Sequence, residues 1–446
     1  NSRRHIASVG IEQSYGHLSS LKSTSNDSEI DFDSMRDVAE QPALKGESGE
    51  YALTRQLGKG GFGDVYLATS PSGDEVVVKL ARRWAEARTM FEHEAAMMTV
   101  VQECPHVVQL VDKAFETDPA FLVMSPFARN GNLSVAKRET STADYAKFLA
   151  NASDDAGGLG PLALLGKRVL QALSCFAERA VIFSDLKPEN ILLVEGEAKS
   201  RKVEGGVGSD ARTSQPWFRH LAADRRIKLT DFGMALQLSA EEMALAAEGR
   251  LHQAGKQGDS TVTVCAPEVL LPQGVYEGFS WSFDMFSFGA MMLQIGSNVL
   301  PKLQNPAEMF DFWCELCGDL DELDNQMATS EQMGPLFSRV GISDRCMREA
   351  ILRSVALDPL ERISPKNALT LVKAVGNEPS CTKALEEVGP RPPTIPKETC
   401  KKAGVEFKAK FGWHAALHAA LNPSGKNRAR KAKQSRVSSD RSGRAN

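Results

Sequence analysis

Asp185, Lys187 and Asn190 stand close together in the stretch VIFSDLKPENILL, residues 181–193. A carboxylate there could accept the proton of an attacking hydroxyl, a lysine two positions on could steady the charge that develops, and an asparagine could offer oxygen to a metal ion. Asp231 follows in TDFG, in a tight turn after the strand-like RIKL, and supplies a second oxygen ligand. Lys79 ends the β-branched run DEVVVKLA, and Glu94 lies on the helical pattern MFEHEAAMMTVV that comes next. A buried lysine that touches phosphates needs a carboxylate beside it, because either charge alone would be costly to bury. LGKGGFGDVYLA places Gly58, Gly60 and Gly63 in G-x-G-x-x-G, with Gly61 between them and Val65 after. Such glycines let a hairpin lie flat over phosphates with its N–H groups facing anionic oxygens. A dinucleotide-binding fold would run strand, glycines, helix, whereas here strands are expected on both sides. The chemistry these residue types share is phosphoryl transfer.

Positioning them takes two kinds of structure. DVYLAT, DEVVVKLA, VVQLVDKAF and AFLVMSPF are short runs rich in β-branched and aromatic residues, separated by turn signals, and predict a small antiparallel sheet. After Gly131 the clearest periods are helical: PLALLGKRVLQALSCFAERA, SFDMFSFGAMMLQIG, REAILRSVAL and SPKNALTLVKAV. Further markers follow in order, Ala266-Pro267-Glu268, Asp284 in SFDMFSFG and Arg362 in LDPLERIS.

Taken together these residues resemble the eukaryotic protein kinase superfamily, over roughly 330 residues and in the family's order. The resemblance implies an α+β, bilobal fold, with a small antiparallel-sheet lobe carrying one main helix and a larger, mostly helical lobe. It implies ATP and Mg2+ as cofactors and serine or threonine hydroxyls of proteins as acceptors. Lys79 would contact the α and β phosphates and pair with Glu94. Asp185 would be the base, with Asn190 and Asp231 holding magnesium. The glycines, Val65, Val77 and Leu192 would line the nucleotide site, Met124 would be the gatekeeper, and Ser125 to Phe127 would form the adenine hinge. Lys187 and Thr261 match the Ser/Thr-specific pattern, in which both groups meet near the attacking hydroxyl; Thr263 is a neighbouring alternative. Glu268 and Arg362 would form a buried ion pair, and Asp284 would hold the catalytic loop through its backbone.

Several positions depart from the pattern. Phe183 and Ser184 replace the His-Arg that commonly precedes the base. Phe183 falls on a column of side chains linking the lobes, with Met98, Leu110 and Phe232, and a phenylalanine can fill it. Ser184 cannot grip an activation-segment phosphate as an arginine would, which touches regulation and leaves the chemistry intact. Val77 adds bulk over adenine, and Ser125 replaces the usual hinge acid. The alternative is a pseudokinase that binds ATP or scaffolds without turnover. A small-molecule kinase would share the base and metal ligands but lack the Ala-Pro-Glu segment and the Glu268–Arg362 pair.

The chain of 446 residues is 42% hydrophobic and 25% charged, ordinary for a globular protein. Residues 1–48 read as a flexible arm rich in Ser, Asp and Glu, and 49–378 as the kinase-like domain, with lobes at 49–127 and 128–378. Insertions fall near 139–160 and 195–224, and 379–446 form a Pro-containing, basic tail. SGKNRARKAKQSRVSSDRSGR in that tail could dock an anionic partner or serve nuclear import. No apolar run of about 18 residues predicts a membrane span. Asn1 in place of methionine suggests a fragment or a processed form. The eight cysteines lack a framework spacing and fit a reduced cytoplasmic or nuclear compartment. Cys314 and Cys317 in C-x-x-C read as half-buried helix residues, and His414 and His418 as one face of an amphipathic helix.

Overall fold

The computed structural model describes residues 43–59, 63–82, 85–129, 131–138, 159–194, 226–247, 252–254, 264–267, 275–277, 281–297 and 344–392, with 311, 313, 314 and 399. The expected insertions, apart from residues 159–160, the arm up to residue 42 and the tail's basic run and histidine pair lie outside these residues.

Six strands form one antiparallel sheet in the order β1-β2-β3-β4-β6-β5. They are β1 (Leu44–Lys45), β2 (Glu50–Lys59), β3 (Gly63–Thr69), β4 (Glu75–Ala81), β5 (Gln109–Ala114) and β6 (Phe121–Ser125). Alternation along β4 sends Val76, Val78 and Leu80 into the core and leaves Val77 and Lys79 on the opposite, less buried face. A slip of one residue would bury Lys79 among the valines, so this apolar pattern fixes which way the lysine points. Helix α1 (Ala85–Val101) packs on the sheet and carries Glu94.

The sheet begins earlier than the expected boundary at residue 49. Leu44 and Lys45 pair with Tyr51 and Glu50. The buried carboxylate of Asp112 accepts hydrogen bonds from the backbone N–H of Glu47 and Ser48, at 3.2 and 2.9 Å, and from the Tyr51 hydroxyl at 2.8 Å. A two-residue strand held by a side chain more than sixty positions away has no local period to betray it.

The larger lobe is helical. In α3 (Pro161–Glu178), which follows the short α2 (Leu133–Arg138), the buried residues Leu162, Leu165, Val169, Leu173 and Phe176 recur every three or four positions. After α4 (Ala240–Ala247), α5 (Trp281–Ser297) is buried at every position from 282 to 293 and fills the centre of the lobe against α3 and α6 (Arg345–Ser354). Side-chain caps from Asp344, Ser364 and Asn377 start α6, α7 (Pro365–Lys373) and α8 (Glu378–Val388).

Helix α8 carries the lobe past the expected end at residue 378. Cys381 is joined by a disulfide to Cys346 of α6. Three residues on, Glu349 accepts from Arg353 at 2.7 Å and from Arg391. Arg353 also donates to the carbonyls of Gly389 and Pro390, at 2.9 and 3.3 Å. Only Cys381 and Ala384 of α8 are buried, so its sequence looks solvated.

The expectation of reduced thiols is likewise overturned. Cys104 is bonded to Cys175, and Cys314, helical and fully buried, also carries a disulfide; Cys317 lies outside the described residues. The two resolved pairs are 71 and 35 residues apart in sequence, and folding brings their Cα atoms to 5.7 and 5.6 Å. Spacing along the chain could not show this. Among the described residues, no helix is long and apolar enough to cross a membrane.

Candidate active site

The glycines over the cleft differ in what surrounds them. Gly58 pairs with Val65 across β2 and β3, and a Cβ there would meet nothing within 4 Å. At Gly63 a Cβ would lie 2.4 Å from the Leu80 carbonyl oxygen and 2.7 Å from the Phe91 ring. Gly60 and Gly61 lie outside the described residues. Gly63→Ala is expected to push Phe91 and α1 off the sheet and cost about 1–3 kcal/mol. Gly58→Ala should leave the urea midpoint nearly unchanged, and equal midpoints for the two variants would refute this contrast.

Below the glycines, Lys79 Nζ donates to Glu94 Oε2 at 2.7 Å and to Asp231 Oδ1 at 3.3 Å. It also stands 5.5 Å from the centroid of the Phe91 ring. Burial disfavours the Lys79 charge, but Glu94 and Asp231 outweigh it and hold its pKa above the ordinary lysine value. Glu94 is only 2% exposed, so the pair is an interior contact.

Two short ladders bring the remaining groups together. Strand β7 (Val181–Ile182) pairs with β10 (Leu236–Gln237), and β8 (Ile191–Val194) with β9 (Arg226–Leu229). Asp185 follows β7 closely, Asn190 immediately precedes β8, and Asp231 lies between β9 and β10, so the two ladders force the three into one place. The Thr230 N–H donates to the Asn190 carbonyl at 3.1 Å, closing the gap beside Asp231. Asn190 Nδ2 donates to Asp185 Oδ2 at 2.8 Å and to the Asp185 carbonyl at 2.9 Å. Lys187 Nζ reaches the same Oδ2 at 2.8 Å. Ser184 and Asp231 both adopt the left-handed region, at φ 67°, rare for residues with a Cβ and common where backbone is held to a task.

The backbone at Ser184 is held from behind by Asp284 on α5. Its carboxylate accepts the N–H groups of Phe183 and Ser184, at 2.7 and 2.9 Å. Complete burial pushes its pKa up to about 7, while the two N–H donors pull it down less strongly. A carboxyl raised from 3.8 in the unfolded chain holds its proton longer in the native state. Its contribution is therefore most favourable below pH 3.8 and is lost as pH rises through about 7. Asp284→Asn should lack this slope, which urea titrations of both proteins between about pH 4 and 7 would reveal.

The expected inter-lobe column is filled. Met98, Phe183 and Phe232 are buried, with Leu110 packed against the same core. The Phe183 and Phe232 rings meet edge to face at 5.0 Å, and Phe176 of α3 joins them at 6.0 and 5.8 Å. Met124 pairs with Val77 across β6 and β4, Ser125 ends β6 ahead of Phe127, and Leu192 lies on β8. Arg362 is buried and donates to the carbonyls of Ala356 and Ser282. Thr261, Thr263 and Glu268 lie outside the described residues. Sequence reasoning did not single out Phe91, Phe176 or His93, whose Nε2 bonds the Ala235 carbonyl at 2.8 Å. Phe91 sits three positions before Glu94, on the same helix face, and that spacing was the available signal.

The profile of the family described as "Protein kinase domain" matches residues 51–371. The chain belongs to the protein kinase family. The kinase is 28% identical over 267 residues to ribosomal protein S6 kinase alpha-3 of Mus musculus, covering 58% of this chain and 28% of that protein. It is 25% identical over 331 residues to serine/threonine-protein kinase atg1 of Botryotinia fuckeliana, covering 71% of this chain and 31% of that protein. It is 22% identical over 247 residues to serine/threonine-protein kinase SBK1 of Danio rerio, with 54% and 50% covered. The matched part of the chain thus spans between 28% and 50% of the length of these relatives. Its antiparallel-sheet lobe and helical lobe form the family's bilobal fold.

Proposed function

We propose that this kinase is catalytically active and transfers the γ-phosphate of Mg-ATP to serine or threonine hydroxyls of proteins. The observation that carries the reading is a cleft in which all six groups with chemical work are paired at once: Lys79 with Glu94 and Asp231, and Asp185 with Lys187 and Asn190. Both donors to Asp185 converge on Oδ2, which leaves Oδ1 to take the hydroxyl proton. Lys187 fixes the orientation of that carboxylate and stands beside the acceptor. Lys79 binds phosphate oxygens, and Glu94 keeps its ammonium in the cleft.

Magnesium suits the oxygens on offer. Asp231 exposes 47% of its side chain to the cleft, and Asn190 spends its amide nitrogen on Asp185, leaving its oxygen. When bound, the ion would neutralise charge on the phosphates. Gly58, Gly60, Gly61, Gly63, Val65, Val77, Met124, Ser125, Phe127 and Leu192 are assigned to the nucleotide, and Thr261 to the acceptor side. Acceptance of serine and threonine also draws on the names of the atg1 and SBK1 relatives.

The test is incubation with labelled ATP, magnesium and a peptide library. Phosphate on serine or threonine supports the reading. A melting shift with Mg-ATP but no transfer to any acceptor would establish the pseudokinase instead.

Ser184 is buried, with a hydroxyl that has no hydrogen-bond partner, in the place where an arginine would answer an activation-segment phosphate. Phosphatase treatment of active enzyme is therefore expected to leave its peptide rate within about tenfold. A larger loss, restored by rephosphorylation, would show another cation in that role. The basic tail is assigned to an anionic partner or nuclear import, and deletion of residues 424–446 tests both.

A further inference from the structure

The disulfide between Cys104 and Cys175 crosses between the lobes. Cys104 lies in the loop after α1, the helix that carries Glu94, and Cys175 lies on α3. The same loop is bound to the helical lobe by His106 to Gln171 at 3.0 Å and by a bridge from Val107 to Leu229. The two sulfurs have unequal surroundings. Cys104 is 4% exposed, whereas Cys175 is only partly buried. Arg179, one turn on at the C-terminal cap of α3, places Nη1 2.9 Å from Cys175 Sγ and 3.4 Å from the Cys175 carbonyl. Glu103, beside Cys104, faces the same guanidinium at 3.7 Å.

A guanidinium against a sulfur stabilises the thiolate, and thiolate character combined with access is what makes a cysteine reactive. A buried thiol within bonding distance then serves to resolve the oxidised sulfur. We propose that Cys175 is a peroxide-reactive cysteine, that Cys104 is its resolving partner, and that their disulfide fastens the loop behind α1 to α3. In the first step the Cys175 thiolate attacks a hydroperoxide, the O–O bond breaks, and the products are Cys175 sulfenic acid and hydroxide or an alkoxide. In the second the Cys104 sulfur displaces the sulfenic oxygen as water, its proton leaving with that oxygen, and the S–S bond forms. Two thiols give up two electrons and the peroxide takes them. A cellular dithiol returns the pair to its reduced form. The site is separate from the phosphate chemistry and does not depend on it.

The full chain is reduced with dithiothreitol, exchanged into buffer, exposed to hydrogen peroxide, and alkylated and peptide-mapped over time. The buried Cys346–Cys381 pair in the same tube is the internal reference. Cys104–Cys175 is expected to form about tenfold faster than the reference, and Arg179→Gln should slow it by about tenfold, the effect of one unit in thiol pKa. Cys104→Ser should leave a dimedone-reactive sulfenic acid on Cys175, whereas Cys175→Ser should leave Cys104 unlabelled. Equal rates for the two pairs in the unmutated chain, an Arg179→Gln rate equal to the unmutated one, or dimedone on Cys104, would each overturn the assignment. The comparison of pairs needs no variant, so it stands even if a substitution prevents folding.

Discussion

Asp185→Ala is expected to lower phosphoryl transfer by about 10²- to 10⁴-fold, the usual worth of a positioned base, and to leave nucleotide affinity nearly unchanged. The separation of the two effects follows from the geometry. Asp185 touches Lys187 and Asn190, whereas Lys79 and Asp231 pair with one another and are the groups proposed to meet the phosphates. Asp231→Ala should instead lose magnesium-dependent nucleotide binding, because it would remove the proposed oxygen ligand together with one of the two carboxylates that hold Lys79. Single-turnover rates and nucleotide titrations on both variants distinguish the roles. Full activity in Asp185→Ala would remove that residue as the base, and with it the proposed mechanism.

Glu349→Ala should cost about 3–5 kcal/mol of stability, more than the crowding introduced by Gly63→Ala. Burial alone would raise the Glu349 pKa, but Arg391 and Arg353 more than offset it and hold the carboxyl below its ordinary 4.5. Removing that carboxylate leaves Arg353 inside the lobe without its counter-charge. Arg391→Ala should cost less, since Arg353 still satisfies Glu349, and the double variant should be little worse than Glu349→Ala alone. A depressed carboxyl pKa stabilises the fold above the unfolded value and is lost as pH falls through the folded one. The gap between the unmutated chain and Glu349→Ala should therefore shrink as pH drops below 4.5. Urea unfolding at two pH values checks both statements, and a loss under about 1 kcal/mol at pH 7 would contradict the first.

The chemical groups were legible because chemistry fixes residue type and order, and short loops keep them near strands whose period can be read. Lys79 is the clearest case, since the alternation of β4 that buries Val78 also turns the lysine to the other face. What the sequence concealed are contacts between distant residues that have no shared period. Asp112 reaches back to Glu47 and Ser48, Arg391 reaches Glu349, and Cys104 reaches Cys175. Both expected domain boundaries fell inside the folded unit for that reason, because the terminal pieces are held by side chains and bury little apolar surface of their own. The crowding at Gly63 belongs with them: its neighbours, Leu80 and Phe91, come from another strand and a helix.

The β8–β9 ladder that sets Asn190 beside Asp231 is closed by residues 195–225, a polar stretch rich in Gly and Ser. Joining the ends of such a stretch carries an entropy cost that grows only with the logarithm of its length, so doubling it costs about 0.6 kcal/mol. The ladder is held by its own four residue pairs and by Thr230 bonding Asn190, none of which belongs to the stretch. Residues 195–225 are therefore expected to tolerate lengthening, shortening or exchange for a reporter sequence with Asn190 and Asp231 left in register, which makes this connection a place for a label that reports on the cleft.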